Sequence, residues 1–251
     1  MAGHSKWANI KHRKGAQDKK RGKIFTRIIK DLTISSRDGG PDPDTNPSLR
    51  LAIQNAKGAN MPKDTMERSI KKGSGEDSAN LQEYTYEGYG PGGIAIFVEA
   101  TSDNLNRTVA SVRSIFSKNG GSLGTNGSLS FVFDRKGVFT FQNSTLEDIE
   151  ADELELELID GGAEEVENHE EVTIVTTPFE DFGTMQKKLE EIKLEPQSSE
   201  LQRIPNNTIE VSLEEALKVM KLLDKFDDDD DISTVYHNME LTEELQKELS
   251  E

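Results

Sequence analysis

The chain is 251 residues long, contains no cysteine, and carries 30 lysines and arginines against 47 aspartates and glutamates, a net charge of −17. That length supports two or three domains with apolar cores, and the missing cysteines exclude a disulfide framework, a thiolate zinc site and a cysteine nucleophile. The best apolar run, Ile94–Val98, falls far short of the ~18 residues that cross a bilayer. The basic N-terminus has no apolar stretch of the signal-peptide kind, so a soluble cytoplasmic protein is expected.

The net charge hides a division along the chain. Residues 1–72 hold 17 basic and 7 acidic residues, whereas residues 73–251 hold 13 basic and 40 acidic. The front is sharper still, with 11 basic and 2 acidic residues in positions 1–37. An acidic body with a basic arm suggests a polyanionic partner engaged at one end, because the body itself repels phosphates. The alternative is that the arm neutralises the acidic body, within one molecule or between two.

Residues 1–22 are polar and punctuated by glycine, with Trp7 as the one aromatic. Too few apolar side chains are present to offset the entropy of ordering, which predicts a flexible arm. Phe25, Ile28, Ile29 and Leu32 then recur at helical spacing, predicting a helix over 23–37 that stops at Asp38–Pro43. Asn46 is positioned to cap a second helix over 47–59. A third begins at Pro62 and closes at Gly73. Together, residues 23–75 form a small helical domain.

Beyond Gly75 strands are expected at Tyr84–Tyr86 and Ile94–Val98, around the turn Gly88–Gly93, whose glycines supply positive φ. A helix over 104–118, with Val109, Val112, Ile115 and Phe116 inward, leads to a strand over 128–133. Val138–Phe141 opens a second arrangement. Over 146–160 leucines alternate with glutamates as in a strand, but both residues favour helices and Gly161–Gly162 is a helix stop, so a helix is predicted. Strands at Val166 and 172–175, a helix over 179–192 and a strand over 200–203 complete a ferredoxin-like βαββαβ order. A strand over 208–211, a helix over 213–226 with Ala216, Leu217, Met220 and Leu223 inward, and a strand over 232–236 then complete the interrupted first set. The expected architecture is multi-domain α+β. A ferredoxin-like domain (76–135 plus 205–240) carries a second one, 136–204, inserted in it, and residues 241–251 form an acidic helical tail.

Catalysis finds no support in this order of residues. His4, His12, His169 and His237 have no nucleophile-and-base neighbourhood, no P-loop is present, and no helix opens after the Gly88–Gly93 run as a dinucleotide site requires. The acidic run Asp227–Asp231 lacks the glycine and terminal glutamate of an EF-hand and reads as a solvated loop rather than a cation site. No catalytic, cofactor-binding or metal-binding residue is assigned. Binding has more to offer. Lys6, Lys11, Arg13, Lys14, Lys19, Lys20, Arg21 and Lys23 place a cation every few residues around Trp7, a pattern that displaces counterions from phosphates and offers a ring to an unpaired base. Arg107 and Arg113 could form a secondary patch or pair with nearby acids.

The segments MAGHSKWANIKHRKGAQDKKRGKIFT, NPSLRLAIQNAKGANMPKDTMERSIKKG, YEGYGPGGIAIFVEATSDNLNRTVASVRSIFSKNGGSLG and DDISTVYHN resemble the YebC/PmpR family. The resemblance implies three domains, one helical and two ferredoxin-like, in a cytoplasmic protein with no cofactor and no catalytic residues. It places the family's opening basic motif on His4, Ser5, Lys6, Trp7, Lys11, His12, Arg13 and Lys14. Members of the family include DNA-binding transcriptional regulators, and others that act in translation with the ribosome. No helix-turn-helix, zinc-finger or basic-zipper pattern is visible, and a basic arm on an acidic body suits single-stranded RNA or ribosomal phosphates. A non-enzymatic protein-interaction adaptor is a third possibility. The reading that follows is a nucleic-acid-binding regulator of gene expression, of DNA and transcription first and of rRNA or mRNA on the ribosome second, with no membrane partner and an open oligomeric state.

Overall fold

The computed structural model describes residues 17–75, 80–147 and 149–248. They divide into two compact units, one drawn from the described residues among 1–26, 79–134 and 204–251, the other from those among 27–78 and 135–203.

Helix α1 spans Gln17–Gly39, so it begins inside the stretch expected to be a flexible arm. Gln17, Lys19, Lys20 and Arg21 are good helix formers, but no apolar residue lies between Ala16 and Ile24 to reveal the period. In the second unit α1 lays Ile28, Leu32, Thr33 and Ser36 inward. Helix α2 (Pro47–Gly58) begins as expected at Asn46, whose side chain accepts from Leu49 N at 3.1 Å. The same amide donates to the carbonyls of Ser35 and Gly40 at 2.7 and 2.8 Å, tying the end of α1 to the start of α2. Helix α3 (Lys63–Ser74) runs through Gly73 instead of ending there. A Cβ at Gly73 would lie 2.2 Å from the Thr33 carbonyl oxygen, so this glycine lets two helices touch and is no terminator. Ser36 Oγ adds a 2.8 Å hydrogen bond to the Ile70 carbonyl.

The second unit's sheet has the order β5-β6-β4-β7, with β4 at Phe133–Gln142, β5 at Glu165–Asn168, β6 at Val172–Pro178 and β7 at Ser198–Pro205. Helices α5 (Ala151–Asp160) and α6 (Phe182–Glu191) follow β4 and β6, giving the expected βαββαβ order. Phe139, Phe141, Leu158, Val175, Phe182, Met185 and Leu189 fill the core between them. The helix reading of the Leu/Glu alternation holds, with a later start at Ala151. On the outer edge of β7 the Asn55 amide imitates a neighbouring strand. It donates to the Ser199 carbonyl and accepts from the Ser199 N–H, both at 2.9 Å.

The first unit's sheet has the order β3-β1-β2-β8, from β1 (Gln82–Tyr89), β2 (Ala95–Ser102), β3 (Ser122–Leu123) and β8 (Ile232–His237). Helices α4 (Leu105–Lys118) and α7 (Leu213–Asp227) cover one face through Val112, Phe116, Val219, Leu222 and Phe226. Position by position this is the layout of the second sheet, with one strand taken from elsewhere in the chain. The place beside the central strand belongs to β1, not to residues 208–211, which make only the single bridge Ile209↔Met239. Residues 128–132 are turns, not the expected strand, and β3 pairs with β1 in their stead. Between β1 and β2 the expected turn is present, with Gly92 and Gly93 at φ 68° and 75°. Leu217 lies exposed, while Val219 takes the inward position. The expected acidic tail contains helix α8 (Glu243–Glu248), whose Leu245 is 1% exposed and joins Leu241 in the first core.

Gly58 gives the fold a sharp test. A Cβ there would meet the Gln197 carbonyl oxygen at 1.8 Å, and that oxygen is backbone that cannot swing aside. Although alanine favours helices, Gly58→Ala is expected to destabilise the protein by about 1–3 kcal/mol through overpacking, read as a lower urea midpoint with an unchanged slope.

Candidate nucleic-acid interface

The basic residues expected to meet phosphate fall into three groups. His4, Ser5, Lys6, Trp7, Lys11, His12, Arg13 and Lys14 lie outside the described residues. Lys19, Lys20 and Arg21 lie in the first turns of α1. Lys23, the last of the series, is engaged within the first unit. Its ammonium donates to the carbonyl oxygens of Phe226, at 3.1 Å, and Asp227, and sits 3.7 Å from an Asp227 carboxylate oxygen. A cation at the last carbonyls of α7 satisfies acceptors that the helix leaves open and opposes the negative end of its dipole. Burial lowers the Lys23 pKa, against the attraction of Asp227, Asp229 and Asp228. Lys23 is therefore a helix cap as placed.

A cationic face that the charge count did not single out lies on α3. Arg68, Lys71 and Lys72 are spaced by three and four residues, which brings them to one side of the helix, and all three are exposed. Arg68 hydrogen-bonds within its own helix, to the Asp64 carbonyl at 3.1 Å and Thr65 Oγ1 at 3.4 Å. None of the three forms an ion pair among the described residues. The 3-4 spacing was present in the sequence, but Asp64 and Glu67 nearby balanced the local count; Glu67 pairs with Lys63 at 3.6 Å. The turn from α2 to α3, Ala59–Pro62, is four residues long and uses a left-handed Asn60 (φ 56°).

Arg107 and Arg113 differ: the first is engaged by nearby acids. Six residues apart, they point about 120° away from each other around α4. Arg107 forks onto Asp231, with Nε and Nη2 donating at 2.9 and 2.8 Å, and Nη2 also donates to Asp103 at 2.9 Å and Ser102 Oγ at 3.1 Å. Arg113 is exposed. The acidic run is correspondingly less solvated than expected. Asp231 also accepts from Thr108 Oγ1 at 3.0 Å, while Asp229 accepts from Ser111 Oγ and from the Asp231 N–H. Burial works to raise the Asp231 pKa, but the hydrogen bonds from Arg107, Thr108 and Ser102 and the guanidinium charge hold it below the usual carboxylate range. The same carboxylate bonds push the Arg107 pKa up. Among the described residues no cluster of His, Asp and Glu is arranged to hold a metal ion, and no helix is long and apolar enough to cross a membrane.

A family model described as the TACO1/YebC protein N-terminal domain matches residues 5–76, and one described as the TACO1/YebC second and third domain matches residues 81–239. A protein of Amoebophilus asiaticus named as a probable transcriptional regulatory protein is 53% identical over 95% of this chain and 98% of its own. One of the same name from Syntrophotalea carbinolica is 51% identical over 97% of each. The crystal structure of a conserved hypothetical protein from Aquifex aeolicus matches with a TM-score of 0.77 at 40% identity, covering 89% of this chain and 91% of that one.

The Asp231 fork generates a pH dependence of known sign. A carboxyl whose pKa is lowered by folding adds stability above its unfolded value of about 4, and that stability is lost as pH falls through the lower folded value. Asp231→Asn is expected to cost about 1–3 kcal/mol at pH 7, with the gap to wild type shrinking below pH 4. Urea titrations at pH 7 and pH 3 check this; an equal gap at both would refute the assignment.

Proposed function

Because the chain belongs to the TACO1/YebC family, we propose that it is a non-enzymatic, cytoplasmic regulator of gene expression that binds nucleic acid through its basic N-terminal segment and helical residues. DNA is the first target, in keeping with the names of its relatives as probable transcriptional regulatory proteins. The observation that carries the reading is the exposed face Arg68, Lys71 and Lys72, free of carboxylate partners among the described residues of a chain with 47 acids. Cations already paired gain little from phosphate, whereas unpaired ones release condensed counterions on binding. A pair of helices joined by a four-residue turn, with the second helix presenting the cations, also suits approach to a duplex. Phosphate contact positions a protein without reading sequence, so the same cations would serve on RNA. The excess of basic residues in positions 1–37 favours that second reading, a ribosome- or RNA-associated translation factor, because phosphate attraction is independent of duplex geometry and acts equally on folded RNA.

Replacing Lys11, Arg13, Lys14, Lys19, Lys20 and Arg21 together by glutamine is expected to abolish binding and flatten its salt dependence, since each lost phosphate contact removes about 0.9 from the slope of log K against log salt. Arg68→Gln with Lys71→Gln and Lys72→Gln should weaken binding to a lesser extent and lower the slope in proportion. Fluorescence anisotropy on duplex DNA and on RNA, at several salt concentrations, reads both effects. Binding by the arm variant as tight as wild type at every salt would end the arm model. Sucrose-gradient sedimentation of lysates, with and without nuclease, separates the targets: arm-dependent migration with ribosomes selects translation, and arm-dependent retention on chromosomal fragments selects transcription.

A further inference from the structure

Between β3 and β4 the chain reads Gly-Thr-Asn-Gly-Ser-Leu-Ser-Phe-Val-Phe over residues 124–133, a stretch without a single charge in a protein of net charge −17. It crosses the sheet face that α4 and α7 do not cover, where Leu129 and Phe133 pack on Ala95, Phe97 and Tyr236. Phe131 lies between these two anchors and is 91% exposed. An isolated exposed apolar residue ordinarily needs no explanation, but this one is a whole aromatic ring on a backbone pinned from several sides.

Glu87, only 7% exposed on β1, accepts hydrogen bonds from Gly127 N at 2.8 Å, Leu129 N at 2.6 Å and Ser128 Oγ at 3.4 Å. On the far side the Asn206 amide donates to the Phe131 carbonyl at 3.3 Å, and Asn206 N donates to the Val132 carbonyl at 2.9 Å. Val132 N in turn donates to the Leu129 carbonyl at 2.9 Å. The ring is thus displayed in water by a loop already paid for in ordering entropy, which is the condition under which a contact contributes most to affinity.

We propose that Phe131 stacks on an unpaired nucleobase. The inference rests on the nucleic-acid reading above and adds one feature to it, an unpaired base met by this ring beside the phosphates that the cations hold. Two observations favour a base over a protein partner, and a third places the contact on the loop instead of the sheet. Phe131 stands in a loop whose Thr125, Asn126, Ser128 and Ser130 are exposed and polar. The segment is uncharged, so it adds no repulsion to that of an acidic body. The sheet face itself is not available as a stacking platform of the kind four-stranded sheets offer to RNA, because Leu129 and Phe133 cover its aromatics and Glu87 and Glu99 stand on it.

The test uses the full chain and fluorescein-labelled twelve-nucleotide oligo-U and oligo-dT, with a duplex of the same length as comparison. Phe131→Ala should weaken single-strand binding about tenfold, as loss of one aromatic stack does, while Phe131→Tyr retains affinity. The slope of log K against log salt should be the same for all three proteins, because no phosphate contact is removed. Since the ring is exposed, the urea midpoint should not move. The strand on which the loss is seen, RNA or DNA, identifies the source of the base. Equal single-strand affinity of Phe131→Ala and wild type would overturn the stacking proposal, leaving arm-driven binding intact. Failure of wild type to bind any of the three oligonucleotides would overturn the nucleic-acid reading itself, and this inference with it.

Discussion

The carboxylate of Asp231 joins pieces of chain 124 positions apart, and the first unit is organised around that junction. β8 pairs with β2 from Ile96↔His237 to Ala100↔Ile232, at the end of which Asp231 meets Arg107 and Thr108 in the first turn of α4. The Asp231 carbonyl also accepts from Thr101 N at 2.8 Å, so the backbone ladder and the side-chain fork lock the same corner. Closing a sheet from segments separated by the whole of residues 135–203 carries a loop-closure cost that grows only slowly with length. What it requires is that the excursion begin and end at the same place. Asn206 arranges this, because its backbone and side chain reach Val132, Phe131 and Asp134 across the two ends of the excursion.

Much of this was legible where a local rule acted alone. Asn46 caps α2 as its position before an apolar period implies, and the leucine-glutamate run folds as a helix because both residues prefer it. The errors have a common cause, which is competition for a place that only the assembled fold decides. Thr208–Val211 has strand-like residues, but the position it would fill beside β2 is occupied by β1 over eight paired residues. Residues 128–132 look like a strand because Leu129 faces inward, as it also would in one. Gly73 looks like a stop because a glycine needed for space and a glycine needed for a left-handed turn are the same letter. Leu241 and Leu245 stood four residues apart in plain view, but the surrounding acids drew attention to solvation in their stead.

The candidate interface was legible in its charge and not in its allotment. Counting cations treats all of them as equal, whereas the fold spends some on its own construction. Lys23 closes α7, Arg107 holds the Asp231 corner, and Lys188 bridges Glu157 and Asp160 at 3.0 and 2.5 Å. Arg68, Lys71 and Lys72 are not spent in this way, although nothing in a linear count distinguishes them from Lys63, which pairs with Glu67. Partnership is settled by which residues meet on a helix face, and so it emerges only at the level of structure.

Long-range and short-range forces divide the remaining work. Phosphate attraction acts over a Debye length of about 8 Å at physiological salt, and the acidic body opposes it over the same range, so cations must be concentrated at one end for attraction to win there. Stacking acts only on contact and is insensitive to net charge. A ring on an uncharged segment can therefore operate on a surface where a lysine would be neutralised by its neighbours. The device that makes this possible is itself a charge: the Glu87 carboxylate, withdrawn from the surface, accepts from the N–H groups of Gly127 and Leu129 and so holds the loop in place. In an acidic protein, one carboxylate buried under a loop can thus be used to order that loop.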